Sequence, residues 1–206
     1  MGRHELMDTI IAGIGGMYGE SLKFFSEQAT GDGLVQSVET AEVAVPPITG
    51  SGDYTGELEC RTESVPVEFR VTNWAGPEAP TLIFHHGSGD IPYHKRLNKI
   101  LTAGRSGGTS PLDGTVNLIA TNSPFNRSQR EYFSAIRNLE TFSLLIAGSV
   151  RLIEGIVARL EQSSRIVVSG ISLGGWITNL HHALFDTATE YRPIFADRKS
   201  TRLNSS

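Results

Sequence analysis

Ser172 lies in a pattern that can turn a serine hydroxyl into a nucleophile. Segment 167–176 reads V-V-S-G-I-S-L-G-G-W, so a β-branched run leads to a serine with Gly170 and Gly174 two positions away on either side. A serine on a strained turn between a strand and a helix needs such glycines, because neighbouring backbone passes close to it. The following helix would direct its N-terminal amides at the serine oxygen, where negative charge develops during acyl transfer. The alternative is a tight turn of another parallel-sheet protein, in which the serine only caps the helix.

A second segment, upstream, leads from a predicted strand into a loop of small residues. Residues 81–90 read T-L-I-F-H-H-G-S-G-D, a nearly continuous apolar run followed by a loop with two glycines. The negative charge that develops during acyl transfer needs two N–H donors, because removal of one typically costs roughly 2.7–4 kcal/mol of transition-state stabilisation. We expect His85 and His86 to fix the loop through hydrogen bonds to the backbone, in preference to a direct catalytic role.

The two segments, in this order, resemble the α/β-hydrolase family, which carries a Gly-x-Ser-x-Gly elbow and an H-G-x loop after its third strand. The resemblance covers about residues 55–196 and implies that Ser172 is the nucleophile. It also implies two oxyanion donors, the backbone N–H groups of Leu173 and Ser88. The other implied loop residues are His86 as support and the two glycines, Gly87 and Gly89, as alternative donors.

The reaction implied by this resemblance is hydrolysis of an ester or a related acyl substrate, without a cofactor or a metal. An acyltransferase on the same fold remains open, and so does a non-catalytic binding module that keeps the fold. A zinc site from His85, His86 and His94 is disfavoured, because their spacing matches no known ligand set. We expect His94 to begin a helix.

The base and the acid of a catalytic triad are not evident in the sequence. In this family they follow the serine in the chain, and only the short segment 173–206 does so here. His181 and His182 lie roughly 14 Å along the next helix, at about 1.5 Å per residue, and we interpret them as surface or packing residues. We therefore expect the triad partners beyond residue 196, and a chain that is close to inactive by itself.

The last residues, 197–206, are polar and look like a translated sequencing adapter. We accordingly interpret the chain as the N-terminal part of a longer hydrolase that ends in a non-native tail. A genuine basic tail is the alternative. The predicted division is an N-terminal helix and linker over 1–53, the hydrolase domain over 54–196, and the tail.

Strands and helices alternate along the middle of the chain, which predicts the α/β class with a mostly parallel sheet covered by helices, incomplete at its C-terminal end. Pro66 favours a sheet edge for the first strand, and Gly148 or Gly155 is expected to break the longest helix. The predicted strands are 65–72, 81–85, 116–120, 165–169 and one that begins at 193, and the predicted helices are 93–103, 128–161 and 173–184.

The N-terminal part has a helical pattern over 3–28, followed by a segment rich in Gly, Pro, Ser and Thr over 29–53 that we predict to be a linker. Residues 13–19, G-I-G-G-M-Y-G, loosely resemble a phosphate loop. No strand is predicted before them and their glycine spacing differs from the dinucleotide fingerprint, so helix packing or a helix break is favoured over a nucleotide site.

Composition excludes several classes of function. The chain of 206 residues is 39% hydrophobic and 19% charged, as globular proteins are, and its net charge of -4 gives no sign of a nucleic-acid or anionic-membrane surface. A single cysteine, Cys60, excludes an internal disulfide. Glu5 and Asp8 interrupt any signal-peptide core, and no apolar run has the length of a membrane span. We predict a soluble, cytoplasmic protein that acts on a small molecule, of undetermined oligomeric state.

Overall fold

The computed structural model describes residues 31–60, 63–102 and 114–194. The strands are β1 (Glu42–Ala44), β2 (Gly52–Cys60), β3 (Glu63–Asn73), β4 (Thr81–His85), β5 (Asn117–Thr121), β6 (Ile166–Ile171) and β7 (Glu190–Ile194). The helices in these ranges are α1 (Gly31–Thr40), α2 (His94–Thr102), α3 (Gln129–Ala135), α4 (Leu139–Ala158) and α5 (Leu173–Leu184). The strands form one sheet in the order β1-β2-β3-β5-β4-β6-β7.

Helices cover both faces of this sheet. Neighbouring residues of a strand point to opposite faces, so Ile83 of β4 joins the larger core with α1, α4 and α5, whereas Phe84 joins a smaller core with Leu97 of α2. The four strands β5, β4, β6 and β7 run parallel, and β5 is buried along its whole length. The predicted α/β fold with a helix-covered sheet is confirmed, and antiparallel pairing of β1, β2 and β3 extends it.

The prediction of a linker over 29–53 is wrong for the described part of that segment. It contains α1 and β1, and Val38 and Val45 are buried in the larger core. Arg151 of α4 fixes the segment, because its Nε donates to the carbonyl of Val38 at 2.6 Å. The few apolar residues that pack are dispersed among Gly, Ser and Pro, which conceals their spacing. The predicted helix over 3–28, the glycine-rich residues 13–19 and the tail 197–206 lie outside the described residues.

Pro66 does not mark an edge strand, so that prediction is also wrong. Strand β3 lies inside the sheet, between β2 and β5. Pro66 pairs with Glu57 of β2, whereas β5 pairs with β3 from Phe69 onward. The proline therefore occupies the part of β3 where β5 does not pair, and its missing N–H disrupts no hydrogen bond to that strand.

The long predicted helix over 128–161 is two helices, and the break precedes both of its glycines. Asn138 ends the connection between α3 and α4, and its side chain accepts a hydrogen bond from Thr141 N–H at 3.1 Å, which caps α4. Gly148 and Gly155 lie inside α4, so the prediction that one of them breaks the helix is wrong. A Cβ atom on Gly155 would lie 2.6 Å from Val45 Cγ2, which shows that these glycines permit close packing.

Replacing Gly148 by alanine is expected to destabilise the protein by about 1–2 kcal/mol. The added Cβ would lie 2.6 Å from Leu58 Cδ2 and 2.7 Å from Pro124 Cγ, and this crowding outweighs the gain in helix propensity. Equilibrium urea unfolding measures the change. Gly50→Ala is the matched control, because no atom lies within 4 Å of its added Cβ; equal stability of the two variants would contradict the prediction.

Helix α4 is long and apolar enough, by length and composition, to cross a membrane. Residues 145–150 of this helix are all buried in the core of the fold. Core helices of globular proteins pass the same test of length and composition, and we interpret α4 as one of them.

Candidate functional site

Ser172 alone forms the turn between β6, which ends at Ile171, and α5, which begins at Leu173. Its backbone has φ 55° and ψ −114°, a strained conformation for a residue with a side chain, which costs on the order of 1–3 kcal/mol. Hydrogen bonds on both sides hold this turn: Ser172 N–H donates to the carbonyl of Ile194 at 3.0 Å, and Trp176 N–H donates to the carbonyl of Ser172 at 3.1 Å. The strain is thus maintained by β7 and by the first turn of α5.

The Ser172 hydroxyl does not cap α5, although the residue occupies the N-cap position. Its side chain makes no capping hydrogen bond, and the residue is exposed. Ser128 at the start of α3 shows the ordinary arrangement, with extended backbone at φ −145° and a side chain that accepts from Glu131 N–H. The alternative in which Ser172 serves only as a helix cap is therefore wrong.

Gly170 and Gly174 allow three stretches of backbone to meet beneath the serine. A Cβ atom on Gly170 would lie 2.3 Å from the carbonyl oxygen of Gly174. A Cβ on Gly174 would lie 2.3 Å from the carbonyl oxygen of His85 and 2.6 Å from that of His86. The N-terminal turn of α5 is consequently packed directly on the carboxyl end of β4, where the glycine loop (residues 87–90) begins.

His85 and His86 connect the loop after β4 to the segment after β5. A carbonyl can only accept, so the contact of His86 Nδ1 with the Gly87 carbonyl places the ring proton on Nδ1. Nε2 of His86 then accepts from Ser123 N–H at 3.1 Å. In the same way, His85 Nδ1 donates to the His86 carbonyl at 3.0 Å, and its Nε2 lies 3.3 Å from the Ser123 hydroxyl. Both rings are buried and engaged in structural contacts.

Burial determines the charge of these two rings. It lowers the pKa of His86 to about 4 and the pKa of His85 well below its ordinary value of 6.5, so both are neutral at neutral pH. His94 begins α2, as predicted, and accepts at Nε2 from Arg70 Nη1 at 3.0 Å. In the described ranges, no three His, Cys, Asp or Glu side chains form a cluster that could hold a metal ion.

The loop itself is a closed turn over residues 87–90. Gly87 N–H donates to Asp90 Oδ2 at 3.0 Å, and Asp90 N–H donates to the carbonyl of Gly87 at 3.3 Å. Gly89 has φ +64°, a conformation that favours glycine, and the Ser88 hydroxyl bonds the hydroxyl of Tyr132. The Gly87 amide already has an acceptor, so in this conformation it does not serve as the alternative oxyanion donor; Ser88 and Gly89 remain.

The loop and the elbow lie at the same end of neighbouring parallel strands, since His85 of β4 pairs with Gly170 of β6. A Cβ on Gly87 would lie 3.6 Å from the carbonyl oxygen of Ile171, the residue before the serine. Leu173 is the first residue of α5, and an amide there has no acceptor within the helix. The fold thus brings Ser172, the Leu173 amide and the glycine loop into one region.

His181 and His182 do not belong to this region. His181 is buried and its Nε2 lies 3.0 Å from Glu154 Oε2, while the exposed His182 stacks on Tyr191 with ring centroids 4.4 Å apart. Both have the packing or surface roles that their position on the helix predicts. Among the residues that the structure describes, no histidine forms a hydrogen bond with the Ser172 hydroxyl.

The sequence did not single out Asp90 or Ser123 as parts of this region, and it did not indicate that Tyr132 contacts the loop. Asp90 directly follows Gly-Ser-Gly, and an aspartate that closes a turn onto a preceding amide could have been inferred from that position. Ser123 and Tyr132 come from other elements, and only the adjacency of β4 and β5 brings them to the loop.

Comparisons with known proteins give resemblances of structure only. No protein-family model and no curated protein matches the chain. A cold-adapted esterase from an Arctic intertidal metagenomic library is 14% identical with a TM-score of 0.45, over 72% of this chain and 62% of that one. The acylaminoacyl peptidase of Pyrococcus horikoshii is 14% identical with a TM-score of 0.42, over 70% and 23%. The epoxide hydrolase of Aspergillus niger is 10% identical with a TM-score of 0.41, over 89% and 42%.

The chain spans between 23% and 62% of the length of these three proteins. At these values the likenesses identify neither an activity nor a substrate. The sheet order, the helices on both faces and the strand-serine-helix turn make the fold α/β-hydrolase-like.

Proposed function

We propose that this chain carries the nucleophile and the oxyanion donors of a serine hydrolase that acts on an ester or a related acyl substrate. The observation that supports this most strongly is the strained backbone of Ser172, an exposed residue at the carboxyl end of β6 whose hydroxyl makes no capping bond. A conformation that costs energy persists where the surrounding fold enforces it, and such strain is concentrated at active sites. It presents the hydroxyl beside the N-terminus of α5.

In the proposed reaction, the Ser172 oxygen attacks the substrate carbonyl carbon while its proton passes to a general base. The carbonyl oxygen becomes an oxyanion that accepts hydrogen bonds from the amides of Leu173 and Ser88. Collapse of this intermediate breaks the bond to the leaving alcohol, which takes up the proton, and leaves an acyl-serine. Water, deprotonated by the same base, then releases the acid and restores the hydroxyl.

The base and its carboxylate partner come, in this proposal, from residues outside the described ranges. His85 and His86 are held neutral by burial and are committed to the loop, and His181 is committed to Glu154. A histidine and an acid that follow β7 in the chain would agree with the order serine, acid, histidine.

The test expresses the protein from the complete reading frame of its gene, with Ser172 and as Ser172→Ala. We expect a fluorophosphonate to label the unsubstituted protein at Ser172, and short p-nitrophenyl esters to be hydrolysed. Neither should occur in the alanine variant. Folding of both proteins is compared by circular dichroism, because removal of a surface hydroxyl should leave it unchanged.

Two results would contradict the proposal. Labelling or turnover that persists in Ser172→Ala would assign the reaction to another residue, and absence of both from the unsubstituted protein would favour a binding module on the same fold. If an acceptor alcohol or thiol captures the acyl group faster than water does, the enzyme is an acyltransferase that uses the same serine.

A further inference from the structure

We propose that Asp90 is a positioning residue that orients the Ser88 amide as an oxyanion donor. This inference rests on the proposed function of Ser172. Asp90 itself touches no reacting atom in the proposed reaction. Its carboxylate holds Gly87 by accepting from the Gly87 N–H, and its backbone N–H donates to the carbonyl of the Gly87–Ser88 peptide group.

The orientation of that peptide group is set at its carbonyl end. In a trans peptide the C=O and the following N–H point in opposite directions. The Gly87 oxygen accepts from Asp90 N–H at 3.3 Å and also contacts His86 Nδ1. The Gly87 oxygen faces the buried His86 ring, so the Ser88 N–H is directed away from that ring.

The Asp90 carboxylate also decides which amide is left for a substrate. Its Oδ2 accepts from Gly87 N–H at 3.0 Å, a closer contact than the backbone bond that closes the same turn. Without this acceptor, the Gly87 amide would become a second donor in the loop and the turn would be held by the weaker bond alone. The carboxylate therefore adds a second bond to the turn and removes Gly87 from competition with Ser88.

Asp90 is itself held from two sides. Arg96 donates to both carboxylate oxygens, from Nη2 at 2.7 Å and from Nε at 3.2 Å. Asn126 donates to the Asp90 carbonyl at 3.2 Å, and it also bonds Asn122 Oδ1 at 2.8 Å. Partial burial raises the pKa of Asp90, but the bonds from Arg96 and Gly87 N–H outweigh it and leave the pKa lowered, so the acceptor is ionised at neutral pH.

The experiment compares Asp90→Ala and Asp90→Asn in the protein expressed from its complete reading frame. Saturation kinetics of Ser172 labelling with a fluorophosphonate separate the reaction rate constant from the binding constant. We expect Asp90→Ala to lower the rate constant roughly ten- to a hundredfold with little change in binding. The variant keeps the backbone N–H of residue 90, so the Ser88 amide is held less firmly but is not removed, and the loss stays below the roughly 10²–10³-fold cost of a whole oxyanion donor. Asp90→Asn keeps an acceptor oxygen and should stay within about threefold of the unsubstituted protein.

A second measurement does not depend on reactivity. Hydrogen exchange of the Gly87 amide, followed by NMR, should be slow in the unsubstituted protein and in Asp90→Asn, and at least roughly tenfold faster in Asp90→Ala. Asp53→Ala is the matched control, because Asp53 forms a carboxylate–Arg pair with Arg70 between β2 and β3. It should change neither measurement.

The outcomes separate the two proposals. Equal labelling rates for the unsubstituted protein and Asp90→Ala, or unchanged exchange of Gly87, would overturn the role of Asp90 and leave Ser172 in place. If the unsubstituted protein is not labelled at all, the proposed function fails and this inference fails with it. If Asp90→Asn lowers the labelling rate constant as much as Asp90→Ala does, the negative charge of Asp90 causes the loss. That result would also overturn the positioning role.

Discussion

An alanine at position 174 is expected to destabilise the protein by roughly 3 kcal/mol or more, and to prevent folding where the remaining stability is small. The added Cβ would lie 2.3 Å from the His85 oxygen, 2.6 Å from the His86 oxygen and 2.8 Å from the His85 carbonyl carbon. All three are backbone atoms, so no side chain can rotate away to make room.

Relief of this clash requires movement of either a strand or a helix. His85 pairs with Thr121 of β5 and with Gly170 of β6, so a shift of β4 would disturb both neighbouring strands. A shift of α5 would expose Ile177, which is fully buried. Alanine has the better helix propensity by about 1 kcal/mol, which is too little to offset either movement. In the proposed reaction, lifting α5 would also displace the Leu173 amide.

A graded series of alanine variants measures this effect. The midpoint of equilibrium urea unfolding should fall most for Gly174→Ala, less for Gly148→Ala, whose added Cβ meets side-chain atoms, and least for Gly50→Ala, where space is open. Failure of Gly174→Ala to give soluble protein, when Gly50→Ala does, agrees with the prediction. A Gly174→Ala protein as stable as Gly50→Ala would show that α5 can separate from β4 without cost.

The elbow and the loop could be predicted separately from the sequence, because each follows a short apolar run and contains glycines at fixed spacing. Their proximity could not be derived from the runs themselves. It depends on β4 lying between β5 and β6 in the sheet, although β4 precedes both strands in the chain. Only the resemblance to a known family implies this order. The strained conformation of Ser172 likewise follows from the positions of β7 and α5, which hold its N–H and its carbonyl.

Other parts of the fold escaped prediction for physical reasons. The low helix propensity of Gly148 and Gly155 indicates a helix break. Both nevertheless lie inside α4, because Pro124 approaches Gly148 and Val45 approaches Gly155 too closely for a larger residue. Tertiary packing thus overrides the local preference. The contacts of Tyr132 with Ser88 connect residues far apart in the sequence, for which a single sequence contains no signal.

Lowering the pH from about 6.5 to about 4 is expected to reduce the free energy of unfolding steadily. His86 has a pKa of about 4 in the folded protein, because burial disfavours its charged form, whereas its ordinary value is 6.5. Between these values the unfolded chain binds a proton that the folded protein does not, so folding becomes less favourable as the pH falls. At about 1.4 kcal/mol per pKa unit, His86 alone accounts for roughly 3 kcal/mol.

The titratable neighbours of His86 either add to this loss of stability at low pH or oppose it. Burial also lowers the pKa of His85, which adds to the loss in the same direction. The Asp90 carboxylate favours the charged form of His86, but burial outweighs it. The carboxyl of Asp90 has an ordinary value of 3.8 that is lowered in the fold, so its own contribution is lost only at still lower pH.

Urea unfolding at several pH values between 7.5 and 4.5 measures this dependence, and His86→Gln removes one titrating ring. We expect the variant to be less stable at neutral pH and to have a flatter pH profile than the unsubstituted protein. Ile156→Val is the control, because it should lower stability by about 0.5–1.5 kcal/mol at every pH without changing the slope. An unsubstituted protein whose stability does not change across this range would contradict the buried, neutral state of His86.

Protonation of His86 should also act on the loop before the whole protein unfolds. A proton on Nε2 would turn that atom into a donor facing Ser123 N–H, so the contact that connects the loop to the segment after β5 would become repulsive. His86 Nδ1 also contacts the carbonyl of the Gly87–Ser88 peptide group. The general base also titrates in this range, so the comparison is with His86→Gln. If the Gly87–Ser88 peptide group presents the oxyanion donor, labelling of Ser172 in the folded protein should decline more steeply with falling pH than labelling of His86→Gln does, and equal pH profiles of the two proteins would contradict this local role of His86.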